Sequence, residues 1–293
     1  MDKCPVNKKI NPFWIVCFVV LALYSVCFVG LFVYGIINSF KDFTDFIYNP
    51  AGLPSVWHFE NYRTVFQFFS LQPQGVTGPT YNILHMFLFS ILYSFGCSAA
   101  NLLITSQVAY ACARFNFKFS KVVYATVLFT MVMPIVGSLP SEMQVVTVLG
   151  LKNSFLGNYF LKASFINIYF MVLYAAFRRV SKEYKEAAEI DGASQFTVMI
   201  KIIYPMQTKT LLTIFLIYFI QYWNDYQTPL LYLPHYPTVA LGLQRFQFST
   251  RFEIAGEPIK MAAAIVVFIP IFTLFILMRN RIMGNVEMGG VKE

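Results

Sequence analysis

The sequence predicts an all-α integral membrane protein with six transmembrane helices. Composition is the first indication: of 293 residues, 57% are hydrophobic and 12% are charged, and the mean hydropathy is +0.59. Soluble domains carry about 25% charged residues, so a soluble fold could not cover this much apolar surface. The lengths of the apolar segments and the placement of the basic residues are the second and third indications. We expect one membrane domain over residues 1–293, without a long linker or an internal repeat.

Six segments are apolar enough to cross a bilayer, which takes about 20 residues of helix. The predicted spans are 13–37, 83–108, 122–139, 158–177, 210–233 and 259–278. The first span follows Lys3, Lys8 and Lys9, as the apolar part of a signal peptide would. Its apolar stretch is too long for a signal peptide, and no small-residue cleavage site follows it, so we interpret it as a retained anchor.

Basic residues are concentrated on one side of these spans. Fifteen of the 22 Lys and Arg residues lie in the N-terminal tail, in the loops after the second and fourth spans and in the C-terminal tail. Because positively charged loops stay in the cytoplasm, both ends of the chain are predicted to be cytoplasmic. The net charge of +8 therefore indicates contact with anionic lipid, and the charges form no continuous patch for nucleic acid.

The cysteines and histidines indicate no metal site. The five cysteines are Cys4, Cys17, Cys27, Cys97 and Cys112, and the three histidines are His58, His85 and His235. No two cysteines have C-x-x-C spacing, and the histidines are far apart in the sequence. We expect reduced thiols and hydrogen-bonding histidines, with no catalytic residue, no metal ligand and no cofactor held by this chain.

The fifth span is the most polar of the six. It contains the consecutive residues Tyr222, Trp223, Asn224 and Asp225. An ionisable residue within a membrane span is energetically unfavourable and suggests a translocation pathway, so these four residues are candidates to line one. The alternatives for Asp225 are a subunit interface and a structural polar network. In the second span, Asn101 is a lesser pathway candidate, because the small residues beside it favour close helix packing.

Three prolines, Pro134, Pro229 and Pro270, lie within predicted spans. Each lacks the N–H group that would bond the carbonyl one turn earlier in a helix. In lipid, that carbonyl must be covered by protein or face a water-filled cavity. We therefore expect interrupted or kinked helices at these positions.

The loop between the fourth and fifth spans, residues 178–209, predicts two short helices joined by a sharp turn. Strong helix formers fill 182–190, and Gly192 is placed to end that helix in the left-handed conformation. Ser194 can cap a second helix, and Pro205 lies near the start of the fifth span, where its missing N–H is harmless. Periodicity alone leaves two interpretations open: an amphipathic helix on the membrane surface, or a lever that docks on a soluble partner.

The spacing in this loop resembles the EAA motif of the permease subunits of binding-protein-dependent ABC importers. That motif reads E-A-A-x3-G-x9-I-x-L-P, and its counterparts here are Glu186-Ala187-Ala188, Gly192, Ile202 and Tyr204-Pro205. The only departure from the pattern is Tyr204, which stands where the motif has Leu. Asp191, next to Gly192, also resembles the family's sequence at this point. Further segments resemble the maltose/multiple-sugar group, and within it the MalG-like partner: Glu60-Asn61-Tyr62, Ala109-Tyr110-Ala111-Cys112-Ala113-Arg114, Trp223-Asn224-Asp225 and Gly289-Gly290-Val291-Lys292.

The resemblance implies a permease of the prokaryotic cytoplasmic membrane that imports a carbohydrate. The loop would be the coupling helix, and the residues that transmit ATP-driven motion would be Glu186, Ala187, Ala188, Asp191, Gly192 and Pro205. The implied partners are a cytoplasmic ABC ATPase dimer that holds Mg-ATP, a second homologous permease subunit, an extracytoplasmic solute-binding protein and the sugar. The sequence contains no phosphate-binding loop, so the chain itself is predicted not to be an enzyme.

The residues also leave two other classes of function to consider. A self-sufficient secondary transporter or channel would explain the spans and the polar fifth helix. It would not explain the spacing from Glu186 to Pro205. A membrane-embedded enzyme would need clustered His, Asp or Glu at membrane depth, and the sequence has no such cluster.

Overall fold

The fold of the chain is helical. The computed structural model describes residues 12–73, 79–115, 117–133, 137 and 139–283. The elements of the first part are α1 (Pro12–Ser39), α2 (Phe43–Tyr48), α3 (Glu60–Phe68), β1 (Ser70–Leu71), β2 (Tyr81–Asn82), α4 (Ile83–Arg114), α5 (Ser120–Val132) and α6 (Leu139–Val148). The elements of the second part are α7 (Phe155–Lys162), α8 (Ile168–Arg179), α9 (Glu183–Ile190), α10 (Gln195–Val198), a π-helical turn (Met199–Ile203), α11 (Tyr204–Met206), α12 (Thr208–Trp223), α13 (Gln227–Tyr232), α14 (Val239–Gln247), a 3-10 turn (Phe252–Ile254) and α15 (Glu257–Met283). The predicted helical class is confirmed, apart from the short antiparallel pair β1–β2.

The chain forms two compact units. Of the described residues, the first unit comprises 12–68 together with Ser249–Val266, and the second comprises those of Phe69–Phe248 and 267–283. In the first unit, α1 has 28 residues and rises about 42 Å. Its apolar side chains are not buried against the rest of the chain. They are therefore free to face lipid or another protein.

The segment that follows α1 is fixed by a buried lysine and a buried amide. Lys41 is fully buried, and its ammonium group donates to the carbonyls of Asn49 and Pro50. The side-chain amide of Asn61 donates to the carbonyls of Ser39 and Lys41, at 2.8 Å each. Backbone acceptors that no helix or strand satisfies are thereby paired within the loop.

Two aspartates organise the turn around α2. Asp42 caps the helix, since its carboxylate accepts from the N–H and the hydroxyl of Thr44. Asp45 accepts from the N–H and the hydroxyl of Ser55, at 2.9 Å each. These hydrogen bonds lower the pKa of both carboxyl groups. The turn therefore keeps its bonds at neutral pH and loses them only as the pH falls through the lowered pKa values.

In the second unit, α4 is the central helix and packs against α7, α8 and α12. Small residues permit this packing, because a Cβ at Gly96 would come within 2.2 Å of the Tyr159 ring. Ser94 and Ser98 on the same helix are fully buried. The predicted role of the small residues in close helix packing is confirmed.

The helices coincide only in part with the six predicted spans. In the described part of the chain, α1, α4 and residues Glu257–Arg279 of α15 are long and apolar enough to cross a membrane. A fourth span is possible if Gln195–Met206 and Thr208–Trp223, which meet at 79°, are counted together. The 13-residue α5 overlaps the interval predicted as the third span and ends at Val132, before the end of that interval. The count of six and the orientation therefore remain predictions.

The interval 158–177 is not one continuous helix, because the chain breaks between α7 and α8. Asn167 caps α8 by accepting from the N–H of Phe170, at 3.1 Å. Its amide donates to the carbonyl of Ser164 and to the hydroxyl of Thr105 on α4. Thr105 in turn donates to the carbonyl of Ser164, at 3.1 Å. The break is tolerated because these side chains satisfy the freed backbone groups.

The prolines have different effects on the helices. Pro229 is the third residue of α13, where its missing N–H breaks no hydrogen bond. The interruption of the predicted fifth span lies before it, at residues 224–226. Pro270 lies inside α15, which continues past it. Pro134 lies outside the described residues.

We expect Lys41→Met to destabilise the first unit. The variant keeps the volume of the side chain but leaves the carbonyl of Asn49 without its donor, which costs about 1–3 kcal/mol of unfolding free energy. Chemical unfolding of the purified chain in detergent measures the change. Lys152→Met is the control, because Lys152 is exposed. Equal stability of the two variants would contradict the role assigned to Lys41.

Candidate functional site

The predicted helix–glycine–helix turn is present. α9 ends at Ile190, and Gly192 follows with a φ of 80°. The N–H of Gly192 donates to the carbonyl of Glu189, at 3.1 Å, and that of Ala193 donates to Ala188, at 2.9 Å. This left-handed closure satisfies carbonyls that the end of a helix would otherwise leave free. The prediction that Gly192 ends this helix in the left-handed conformation is confirmed.

The chain after the turn leads directly into the fifth predicted span. The hydroxyl of Ser194 accepts from the N–H of Thr197 and caps α10, as predicted. A π-helical turn and α11, which contains Pro205, connect α10 to α12. We call residues 183–206 the elbow.

One face of the elbow is buried in the core of the second unit. Ala188, Val198 and Ile203 have at most 9% of their surface exposed. They belong to one apolar cluster with residues of α4 and α8. The α4 and α8 members of this cluster are Ala109, Tyr110, Cys112, Phe170, Leu173 and Phe177. The elbow is therefore packed onto the inner helices.

Tyr204, the one departure from the E-A-A pattern, strengthens the same contact. Its ring stacks on Phe177 with the centroids 5.7 Å apart and meets the ring of Tyr110 edge-on. Its hydroxyl donates to the hydroxyl of Ser106 on α4, at 3.1 Å. A leucine could fill this apolar position but could not make the hydrogen bond.

The opposite face of the elbow is exposed. Ile190 and Phe196, on either side of the turn, expose 85% and 65% of their surface. Glu186, Ala187 and Asp191 are exposed as well. The two alanines of the motif therefore differ, since Ala188 packs inward and Ala187 faces outward. The outer face of the elbow therefore combines an apolar pair with acidic side chains.

Three of the five pathway candidates lie in one series of contacts, two hydrogen-bonded pairs joined by a contact between two tyrosine rings, which we call the polar chain. The amide of Asn101 donates to the hydroxyl of Tyr222, at 2.8 Å, and the hydroxyl of Thr105 lies 3.2 Å from the amide oxygen of Asn101. The ring of Tyr222 meets that of Tyr93 edge-on, at 6.1 Å. The hydroxyl of Tyr93 donates to one carboxylate oxygen of Asp225, at 2.9 Å. The polar chain joins α4 to the end of α12.

Asp225 also stabilises the interruption after α12. Its second carboxylate oxygen accepts from the N–H of Thr228, at 3.0 Å, in the first turn of α13. This contact supports the structural polar network that the sequence left open. The carboxylate thereby joins a helix start to the neighbouring α4.

The other two candidates, Trp223 and Asn224, lie apart from the polar chain. Trp223 has 1% of its surface exposed and stacks between Phe87 and Phe219. The side chain of Asn224 is exposed and bonds the carbonyl of Ile220 in its own helix, at 2.8 Å. Adjacent residues of a helix point in different directions. The four consecutive candidates of the fifth span therefore do not form one site.

The sequence interpretation missed Tyr93 and Thr105. Both lie on α4 at four-residue steps from Asn101, with Cys97 between, and all four residues are buried. Side chains at this spacing share one face of a helix. Counting polar residues at steps of four from Asn101 could have found them.

Within the described ranges, no group of three or more His, Cys, Asp or Glu is arranged to hold a metal ion. Two of the histidines make side-chain hydrogen bonds. His85 bonds Asn82, at 2.6 Å, and His235 bonds Asn153. The described cysteines, Cys17, Cys27, Cys97 and Cys112, are free thiols, and Cys4 lies outside the described residues.

These features define a class of protein. Long apolar helices, inner helices interrupted at polar caps, and a packed elbow with an exposed tip are typical of a helical transport protein of the membrane. The chain matches the family model described as "Binding-protein-dependent transport system inner membrane component" over residues 103–284. It belongs to that family.

Relatives and a solved structure agree with this assignment. The chain is 26% identical to the multiple sugar-binding transport system permease protein MsmG of Streptococcus mutans over 291 residues, 98% of this chain and 99% of that protein. It is 25% identical to the probable starch degradation products transport system permease protein AmyC of Thermoanaerobacterium thermosulfurigenes, covering 92% and 93%. Its fold resembles a chain of a bacterial ABC transporter involved in alginate import, with a TM-score of 0.75, 20% identity and coverage of 95% and 99%.

The chain is therefore a permease subunit of a binding-protein-dependent ABC importer, a multi-pass protein of the bacterial inner membrane. It is the membrane component and not the ATPase of such a system. An importer of this kind also includes an ATPase and a binding protein.

We expect Gly192→Ala to loosen the elbow without crowding it. A Cβ at this position would meet no other atom within 4 Å. The left-handed conformation itself disfavours alanine by about 1 kcal/mol, so hydrogen exchange of the α9 amides should be roughly five-fold faster. Gly192→Asn is the matched control, because asparagine tolerates this conformation better. Equal exchange in both variants would contradict the role of the glycine.

Proposed function

We propose that this chain forms one half of the membrane pathway of a carbohydrate importer. In this proposal, residues 1–293 form a single membrane domain that crosses the membrane six times with both ends in the cytoplasm. The distribution of the basic residues supports the orientation. A second, homologous permease subunit completes the pathway, which runs between the two chains.

The proposed cargo is a carbohydrate. One relative is named for multiple sugars, another is named for starch degradation products, and the structural neighbour takes part in alginate import. Sugars bind to aromatic faces and to hydrogen-bonding side chains. The polar chain supplies Tyr93, Asn101, Tyr222 and Asp225, and Trp223 and Asn224 follow Tyr222 at the C-terminal end of α12. We propose that sugar hydroxyls exchange with these protein partners during transport.

The elbow is the proposed coupling element, and one observation carries this proposal. The elbow is buried on one face among the inner helices and exposed on the other at an apolar tip. A partner that grips Ile190 and Phe196 could therefore move the membrane helices through Ala188.

Each motif residue then has a proposed role in coupling. Glu186 and Ala187 lie on the exposed face for contact with a cytoplasmic ATPase dimer, which binds Mg-ATP. Asp191 and Gly192 form the turn, and Pro205 leads into α12. A solute-binding protein delivers the sugar at the outer face.

The coupling role is tested with the full importer reconstituted in lipid, with its candidate ATPase, second permease and binding protein. We expect Glu186→Gln to reduce the ATP hydrolysis stimulated by the binding protein by about ten-fold, because a charge-assisted bond to the ATPase is lost. Glu183→Gln, an exposed change on the same helix, should leave the stimulation unchanged. Equal stimulation in both variants would contradict the role of Glu186.

The same preparation tests the polar chain. Tyr222→Phe removes the hydroxyl that accepts from Asn101, so we expect uptake of a labelled oligosaccharide to fall about five-fold. Co-purification of the ATPase should not change. Tyr226→Phe, the same chemical change at an exposed tyrosine four residues later, is the control. Uptake by this chain without any ATPase would instead favour a self-sufficient secondary transporter.

A further inference from the structure

A groove of about 870 Å³ opens beside the elbow, where the end of α4, the start of α5 and the end of α8 meet α9. Its lining includes the six cationic side chains of Arg114, Lys118, Lys121, Arg178, Lys182 and Lys185. Only two acidic side chains, Glu186 and Glu189, line it. The groove therefore carries an excess of four positive charges. This excess of positive charge favours the binding of an anion.

Three of the six cationic side chains make no ion pair in the described part of the chain, and Arg178 contacts only the neutral Tyr174. Lys185 pairs with Glu189, at 3.5 Å. Lys118, Lys121 and Lys182 make no ion pair with any described residue. The positive charge of the groove is therefore available to a ligand.

Arg114, another basic residue of the groove, has an N–H donor without a partner in the described part of the chain. One of its terminal nitrogens donates to the carbonyl of Val180, at 2.7 Å. Its Nε is buried and has no hydrogen-bond partner among the described residues. A buried donor without a partner is unfavourable by about 1–3 kcal/mol, and an anionic oxygen in the groove could accept from it.

A second, apolar groove of about 430 Å³ adjoins the first at Lys121. It runs along α5 and is lined by Val122, Ala125, Thr126 and Phe129. Val122 and Phe129 expose 49% and 66% of their surface. A basic groove that continues into an apolar one along a helix matches the two chemical parts of a phospholipid, an anionic headgroup and an acyl chain.

We propose that the two grooves together bind one anionic phospholipid, with its phosphate among the basic side chains and one acyl chain along α5. Basic pockets between transmembrane helices bind anionic headgroups in the cytoplasmic leaflet, and the orientation proposed above puts the basic groove on that side. Lys185 of the elbow is one of the basic side chains of the groove, so the bound lipid would hold the elbow at the membrane surface. A free phosphate shares the headgroup chemistry, but it would not need the apolar groove.

The test uses the assembled importer in a neutral detergent, titrated with phosphatidylglycerol, with the bound lipid counted by native mass spectrometry. The double variant Lys118→Gln/Lys121→Gln removes two charges from the groove but leaves the elbow intact. We expect its affinity for phosphatidylglycerol to be about thirty-fold weaker. The charge-matched control is Arg179→Gln/Lys201→Gln, since both residues are exposed and neither lines the groove. The control should bind like the wild type.

A second variant separates a lipid from a free phosphate. Ala125→Trp fills the apolar groove at an exposed position, so it should weaken phosphatidylglycerol binding and leave the basic groove unchanged. If Ala125→Trp binds like the wild type while inorganic phosphate competes, the site takes a phosphate alone and the lipid proposal is wrong.

Three further results would also overturn the proposal. The first is equal retention of phosphatidylglycerol and phosphatidylcholine by the wild type. The second is equal weakening in the charge-matched control, which would indicate diffuse surface attraction. The third is lipid retention only without the ATPase subunits, which would mean that they cover the groove. The assay counts bound lipid without transport, so its failure is distinct from failure of the coupling proposal.

Discussion

The burial of the inner face of the elbow among the membrane helices is the contact on which the rest of the account depends. α9 has eight residues and α10 has four, and helices this short are not stable alone in water. Their conformation therefore comes from the packing of Ala188, Val198 and Ile203 and from the turn at Gly192. The same packing leaves Ile190 exposed at the tip, so one arrangement explains both the stability of the elbow and its availability to a partner.

A second constraint acts inside the membrane, where every interrupted helix must find partners for its free backbone groups. Asn167 caps the start of α8 and bonds Thr105 of α4. Asp225 accepts from an N–H in the first turn of α13 and from the hydroxyl of Tyr93 on the same α4. Both breaks are therefore tied to one central helix. A residue that stabilises a break also brings polar groups into the interior, and the structural and proposed transport roles of Asp225 are compatible for this reason.

Local features of the elbow could be predicted from the sequence, whereas contacts between distant segments could not. The positive φ of Gly192 and the cap at Ser194 follow from residue type and spacing alone. The break within 158–177 depends on a bond between residues 62 positions apart, Thr105 and Asn167, which no local pattern contains. The residue type of Trp223 suggested a pathway role, but its position on the helix places its ring in a stack with Phe219.

The central claim is that the elbow and the membrane core of this chain move as one body when the ATPase closes. Spin labels at Tyr184→Cys on the elbow and Leu103→Cys on α4, both exposed positions, report this directly by pulsed electron paramagnetic resonance. The native cysteines are first replaced with serine, and the full importer is measured without nucleotide and with ATP. The account predicts the same distance in both states. A distance that changes with ATP would contradict it, because the elbow would then move independently of the helices on which it packs.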